Sequence, residues 1–264
     1  MSRYSALLDI ALECINEAEV LFVEGHGAQP AVRKGEGDFA TKVDLNIETL
    51  LRERLQTRTG IAVVGEELGG QQAERMWVID PIDGTSNYSV GNPMSAILLS
   101  LIEDGQPKVA VTSLPLAGQR FAACEGEALR CPASAGGKDV SHVGFSTITT
   151  RTKSPVPQVM RMDILGALAC SKLRPRITGS VGVDLAYAAA GVFAVGVSLS
   201  PNVWDNAAGV LLGRAAGKTV TDIWGNPWHL GAVGAVIGDA EAHDIVMEIM
   251  QTQSKESQWA SQFE

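Results

Sequence analysis

The chain has 264 residues, of which 30 are acidic and 21 basic, for a formal net charge of −9. That balance disfavours a general nucleic-acid binder, since polyanion binding relies on a basic surface that releases counterions. With 45% hydrophobic and 19% charged residues the sequence is globular and long enough to bury a substantial core, and no apolar run reaches the roughly 18 residues of a membrane span.

The first element predicted is a helix over residues 6–22. Leu7, Ile10, Ala11, Cys14, Ile15, Ala18, Leu21 and Phe22 recur at three-and-four spacing, with Asp9, Glu13 and Glu17 opposite. Charges inside this stretch set it apart from a signal peptide, so a cytoplasmic location is expected. Gly25, Gly27 and Pro30 end it, and Arg33 to Asp38 is too rich in glycine and charge to be regular. A second helix, from about Asp44 to Arg58, carries Ile47, Leu50, Leu51 and Leu55 on one face and stops at Gly60. Strands follow at 61–64, 76–79, 95–102, 109–113 and 121–124, which together predict a mixed sheet covered by the two N-terminal helices. From about residue 140 strands and helices alternate. The pattern gives a strand at 140–146, helices at 157–169 and 183–190, a strand at 194–199, a helix at 205–216, a strand at 219–222 and a last helix at 240–251. The expectation is an α+β N-terminal part, residues 1–138, and an α/β C-terminal part, residues 139–264. Cys14, Cys124, Cys131 and Cys170 are scattered as reduced thiols would be, and His26, His142, His229 and His243 lack metal-ligand spacing.

Chemistry concentrates in Trp77-Val78-Ile79-Asp80-Pro81-Ile82-Asp83-Gly84-Thr85. An apolar strand is expected to end at Asp80, with the chain turning through Asp83-Gly84. Two carboxylates three residues apart on a tight turn can converge, and Gly84 lets backbone N–H groups approach an anion. The same residues also suit an ordinary surface turn. A second acidic pair, Glu66-Glu67, ends the preceding strand, so Glu66 meets Asp80 if the two strands are neighbours. Asp44 opens the second helix, where it also fits a plain capping role, and Asp205 begins another helix 122 residues after Asp83. Like charges about 4 Å apart repel by roughly 4 kcal/mol at an effective dielectric near 20. Such a cluster calls for a cation, and all-oxygen ligation without Cys or His points to Mg²⁺ or a similar hard ion.

Four motifs carry a resemblance to a known family: Asp38-Phe39-Ala40-Thr41-Lys42-Val43-Asp44, Gly65-Glu66-Glu67, Asp80-Pro81-Ile82-Asp83-Gly84-Thr85 and Trp204-Asp205-Asn206-Ala207-Ala208-Gly209. The chain resembles the inositol monophosphatase family of Mg²⁺-dependent, lithium-inhibited phosphatases. Further similarity lies in Gly126-Glu127-Ala128 and in Gly179 to Ala186. The resemblance implies a layered αβαβα sugar-phosphatase fold, usually a homodimer, holding two or three Mg²⁺ ions. It implies a first metal on Glu66, Asp80 and the carbonyl of Ile82, and a second on Asp80, Asp83 and Asp205. It implies that Asp44 and Thr85, with metal-binding Glu66, serve catalysis by orienting and deprotonating the attacking water. Gly84 and Thr85 would hold the phosphate through backbone N–H groups, with Asp83, Gly179, Ser180, Val181 and Ser198 near the rest of a small phosphorylated polyol or sugar such as inositol 1-phosphate.

Two departures concern the substrate. Inositol-selective members carry a Glu seven residues before the Trp-Asp aspartate, where this chain has Ser198, and Ala194 stands where the family often has Asp. Residues 151–176 carry Arg151, Lys153, Arg161, Lys172, Arg174 and Arg176 against Asp163, a local balance of +5, which suits either a second phosphate or nucleotide, or a solvated surface. The alternatives within the family are a 3′(2′),5′-bisphosphate nucleotidase, a histidinol-phosphatase and a fructose-1,6-bisphosphatase. Outside catalysis the alternative is a partner of transcription machinery, as some relatives of this fold are. Haloacid-dehalogenase chemistry would want one residue between its aspartates, where this chain has two. Neither G-x-S-x-G nor a Walker A or G-x-G-x-x-G segment is present.

Overall fold

The computed structural model describes residues 3–35, 38–132, 140–145, 147–148 and 155–256. The chain runs α1 (Ser5–Glu24), β1 (Pro30–Gly35), β2 (Asp38–Thr41), α2 (Lys42–Thr59), β3 (Ala62–Gly65), β4 (Arg75–Asp83), α3 (Thr85–Ser89), β5 (Ala96–Glu103), β6 (Gln106–Leu114) and β7 (Gln119–Cys124). It continues through β8 (His142–Phe145), α4 (Gln158–Cys170), β9 (Arg174–Arg176), α5 (Val181–Ala189), β10 (Val195–Ser198), α6 (Val203–Ala215), β11 (Thr219–Thr221), β12 (Ala235–Gly238) and α7 (Ala240–Glu256). The expected division between residues 138 and 139, like Arg151 and Lys153, lies outside the described residues. No helix among the described residues is long and apolar enough to cross a membrane.

These elements form five layers. Helices α1 and α2 pack on one face of the sheet β3-β4-β5-β6-β7. Helices α5 and α6 fill the space between that sheet and a second, β11-β12-β10-β8-β9, and α4 and α7 pair with each other on the second sheet's outer side. The first core joins Leu8, Ile15 and Phe22 of α1 and Ile47, Leu51 and Leu55 of α2 to Trp77, Ile79, Leu99 and Val111 of the sheet. The opposite faces of β4 and β5, with Val78, Leu98 and Ile102, bury Leu185, Ala207, Val210 and Leu212 of the middle helices. Strands covered on both faces read as near-continuous apolar runs, and β5 is buried along nearly its whole length, its one buried hydroxyl, Ser100, donating to Val109 O at 2.9 Å.

Several elements differ from the sequence expectation. The stretch Arg33 to Asp38, expected to be irregular, is strand on either side of residues 36–37, which lie outside the described residues: β1 and β2 pair antiparallel with shifts in register, Val32 opposite Ala40 and Gly35 opposite Asp38. A backbone ladder requires no apolar pattern, so nothing in the side chains announces it. Strands β9 and β12 also carry no alternation. β9 is the edge tripeptide Arg-Pro-Arg and β12 the four residues Ala-Val-Ile-Gly after Gly234, yet β12 lies between β10 and β11.

The difference that matters most is in β4. The strand does not end at Asp80 but continues to Asp83, with Asp80 opposite Leu98, Asp83 opposite Ala96 and an irregular register between them. Strict alternation would send residues three apart to opposite faces. The bulge at Pro81-Ile82, where proline has no N–H to contribute to a ladder, resets the phase.

Helix α7 docks through His243, which is 4% exposed, its Nε2 2.9 Å from Thr221 Oγ1 of β11. Burial lowers the pKa of His243 below 6.5, partly opposed by the charge of Asp244. The unfolded chain therefore takes up this proton first, and the stability it contributes is complete above about 6.5 and lost as pH falls toward the lowered folded value. Thermal melts at pH 7.5 and 5.0 should show a smaller drop in Tm for His243→Gln than for the unsubstituted protein.

Candidate active site

The site forms where the sheets and the middle helices meet. Strands β3 and β4 are parallel neighbours with Gly65 opposite Ile79, and the Glu66 N–H donates to Ile79 O at 3.1 Å. That register sets Glu66 beside Asp80, as the sequence suggested if the strands were adjacent. Asp80 is 2% exposed. Burial raises its carboxyl well above the usual range, the charges of Glu66, Asp83 and Asp205 raise it further, and a hydrogen bond with Glu66 adds to the shift. The Ile82 N–H donates to Asp80 Oδ1 at 3.1 Å across the bulge.

Asp83 is oriented by α5. Its Oδ2 accepts from Ser180 Oγ and, at 2.7 Å, from the Gly182 N–H, while Oδ1 accepts from the Val181 N–H at 3.2 Å. Burial pushes the Asp83 carboxyl up to about 6, and these three donors hold it back. The positive end of α5 thus faces an anion. Ser180 also caps α5 by accepting from the Val183 N–H at 3.2 Å. Among the residues expected near the substrate, Ser180 and Val181 are engaged with Asp83, and Gly179 is exposed beside them.

Asp205 stands in the first turn of α6, half-buried. Its Oδ2 accepts from Ser200 Oγ and lies 3.4 Å from Asn202 Nδ2. Burial and the charges of Glu66 and Asp83 bring it up to about 7, against the pull of Ser200 and Asn202. Ser198 ends β10 fully buried, and its Oγ accepts from the Ser200 N–H at 3.2 Å, so this hydroxyl shapes the turn leading to Asp205.

Asp44 is fully buried at the start of α2 in a capping box. Its Oδ2 accepts from the Thr41 N–H at 2.8 Å and from Thr41 Oγ1 at 2.6 Å. Its Oδ1 lies 3.5 Å from Thr85 Oγ1, which donates to Ile82 O at 2.9 Å. Thr85 therefore links Asp44 to the bulge. Gly84 makes this possible: it has φ +82°, and an added Cβ would lie 2.9 Å from Met94 O and 3.3 Å from Gly179 O.

The described basic residues of the 151–176 segment do not converge on this cluster as one patch. Arg161 is buried, donating to Val156 O at 3.1 Å, Thr147 O at 3.3 Å and Leu199 O at 3.4 Å, and burial lowers its pKa to about 10. Lys172, Arg174 and Arg176 are exposed, and Lys172 pairs with Glu241. Among the described residues no lysine or arginine pairs with Asp80, Asp83 or Asp205, and no group of three or more His, Cys, Asp or Glu side chains could hold a metal ion as it stands.

The profile of the inositol monophosphatase family matches residues 4–256. Inositol-1-monophosphatase ImpA of Mycolicibacterium smegmatis is 40% identical over 262 residues, covering 96% of this chain and 95% of that protein. The chain belongs to the inositol monophosphatase family. The Nus factor SuhB of Xylella fastidiosa is 34% identical over 224 residues, 82% of this chain and 78% of its own length. Among solved structures, an IMPase of Thermotoga maritima has the same fold, with a TM-score of 0.82 at 23% identity over 95% of this chain and 99% of that one. The layered α/β architecture is therefore that of inositol monophosphatases.

Sequence reading named the carboxylates of this family member but not the groups that hold them. Thr41-x-x-Asp44 is a capping box readable from spacing, and Ser200 and Asn202 are residues typical of the start of a helix. Their action on Asp44 and Asp205 follows from side-chain direction, which spacing does not give.

Two outcomes are expected. In the metal-free protein at pH 8, Asp80→Asn keeps an acceptor for the Ile82 N–H and removes a repelled charge, so it should melt above the unsubstituted protein. Gly84→Ala should lower the urea unfolding midpoint by an amount equivalent to about 1–2 kcal/mol or more, the cost of a left-handed backbone at a residue with a Cβ.

Proposed function

We propose that the chain is a Mg²⁺-dependent phosphomonoesterase acting on a small phosphorylated polyol or sugar, with an inositol-1-phosphate-like ester first in order. The observation that carries this reading is the convergence of Glu66, Asp80, Asp83 and Asp205, where neighbouring carboxylate charges raise the proton affinity of the three aspartates and no basic partner meets those aspartates among the described residues. An all-oxygen set that repels itself fits a hard divalent cation. Mg²⁺ is commonly held by one or two carboxylates with several waters kept in its shell.

Glu66, Asp80 and the Ile82 carbonyl would hold one ion, and Asp80, Asp83 and Asp205 another; a third ion is compatible with the same donors. When bound, Mg²⁺ neutralises charge on the phosphoryl oxygens and acidifies water. Asp44 and Thr85 would orient and deprotonate the attacking water on the side of the capping box where Asp44 Oδ1 meets Thr85 Oγ1. The Gly84 and Thr85 N–H groups would bind the phosphate. Asp83, beside Gly179, Ser180 and Val181, would face the leaving group. Ser198 would act through the Ser200 turn. Lithium inhibition, a homodimer and a cytoplasmic setting belong to the same proposal, and nucleic acid is not among the expected ligands.

The second reading is a role as a partner of transcription machinery, favoured by the 34% identity to a Nus factor SuhB. Phosphate release with Mg²⁺ and with EDTA separates the two. The substrates are inositol 1-phosphate, fructose 1,6-bisphosphate, histidinol phosphate and 3′-phosphoadenosine 5′-phosphate. Release from inositol 1-phosphate should be fastest, cease with EDTA, and fall by at least about 10²-fold in Asp83→Asn. Metal-independent release, or none from any of the four, would overturn the proposal.

A further inference from the structure

The proposed site includes Glu66 but leaves unexplained a second, fully buried glutamate behind it. After Gly65 the chain bends into a hook: the Gly65 N–H donates to Gly69 O at 2.9 Å, and Gly69 and Gly70 have φ of +64° and +141°. Into this hook α2 inserts Glu48, which is 0% exposed. Its Oε2 accepts from the Glu67 N–H at 2.7 Å and its Oε1 from the Leu68 N–H at 3.0 Å. Consecutive N–H groups pointing inward form an anion-binding nest, here filled by a carboxylate of the same chain. Gly65 is required for this approach, since a Cβ there would overlap the Glu48 carboxylate.

Arg52, one turn along α2, closes the arrangement. Its Nη2 binds Glu48 Oε1 at 3.0 Å and Gly69 O at 2.7 Å, and its Nη1 binds Val63 O at 2.7 Å. The guanidinium therefore grips both limbs of the hook, one before and one after Glu66. A planar fork with several fixed donors can do this where an ammonium cannot.

We infer that Glu48 and Arg52 are positioning residues for Glu66: the pair fixes the backbone on both sides of that residue and so sets its carboxylate against Asp80 for metal binding. The fixed hook also offsets the tendency of Glu66 to swing away from the repelling charges of Asp80 and Asp205. This inference rests on the metal-site reading above. The Glu48 carboxylate has two acceptor oxygens for two N–H groups, whereas the amide of a glutamine offers one acceptor and turns an NH₂ on the other. Outer groups that orient a metal ligand commonly alter affinity by about 10–100-fold.

The test is Mn²⁺ binding to the metal-free protein, followed by the electron paramagnetic resonance signal of the free ion, for the unsubstituted chain, Glu48→Gln, Arg52→Lys and Arg52→Gln. Glu48→Gln and Arg52→Gln should bind about 10-fold or more weakly, and Arg52→Lys should fall between them and the unsubstituted chain. In phosphate release, half-saturating Mg²⁺ should rise in parallel, while KM for the ester at saturating Mg²⁺ changes less than about two-fold, a split that general loosening of the fold does not produce. Metal-free melting curves identify any variant that does not fold, and the Arg52 pair decides if Glu48→Gln is lost that way. Unaltered Mn²⁺ affinity in a folded variant would overturn the inference and leave the site reading intact. Failure of the unsubstituted chain to bind Mn²⁺ would overturn both.

Discussion

Carboxylates that repel one another in a desolvated place are the constraint on which the rest of this structure depends. Asp80 and Asp83 are buried and Asp205 is half-buried, and each is raised by burial and by neighbouring carboxylates. Left to relax, such groups would turn toward solvent or separate. The fold prevents this by delivering them from different elements: Glu66 after β3, Asp80 and Asp83 from β4, and Asp205 from α6. Each backbone is committed elsewhere, to a sheet ladder or a helix, so the clustering cost is met by the packing of whole layers.

Helix starts supply the compensating partial charge. Asp44 lies in the first turn of α2, Asp83 accepts two N–H groups from the first turn of α5, and Asp205 lies in the first turn of α6. The unsatisfied N–H groups at a helix start favour an anion. Hydroxyl groups add to this: Thr41 on Asp44, Ser180 on Asp83 and Ser200 on Asp205. Three carboxylates are thus oriented by the same device, a helix N-terminus with a Ser or Thr beside it. Because α5 and α6 pack between the two sheets, the device also ties the site to the centre of the molecule.

The bulge in β4 shows how a local irregularity acquires a chemical role. A straight strand would turn Asp80 and Asp83 to opposite faces, one toward the α1–α2 layer and one toward α5. The irregular register lets both reach one site, frees Ile82 O to accept from Thr85, and leads into the left-handed Gly84 that starts α3. Membership of the inositol monophosphatase family and the shared fold of the Thermotoga maritima IMPase place this arrangement in an architecture of phosphatases.

By itself the sequence determined the family resemblance, the positions of the acidic residues and most helices and central strands. Identity and spacing of side chains are local properties, and buried periodicity is strong in α1, α2 and the strands of the first sheet. Tertiary structure alone decided that β4 runs on to Asp83 and that β1 pairs with β2. It also decided that β12 is inserted beside β10, and that Glu48 reaches across from α2 to hold the hook after Gly65. Each of these is a backbone pairing or a contact between residues distant along the chain. Side-chain order carries no signature of them, because a ladder hydrogen bond depends only on which backbones are brought side by side.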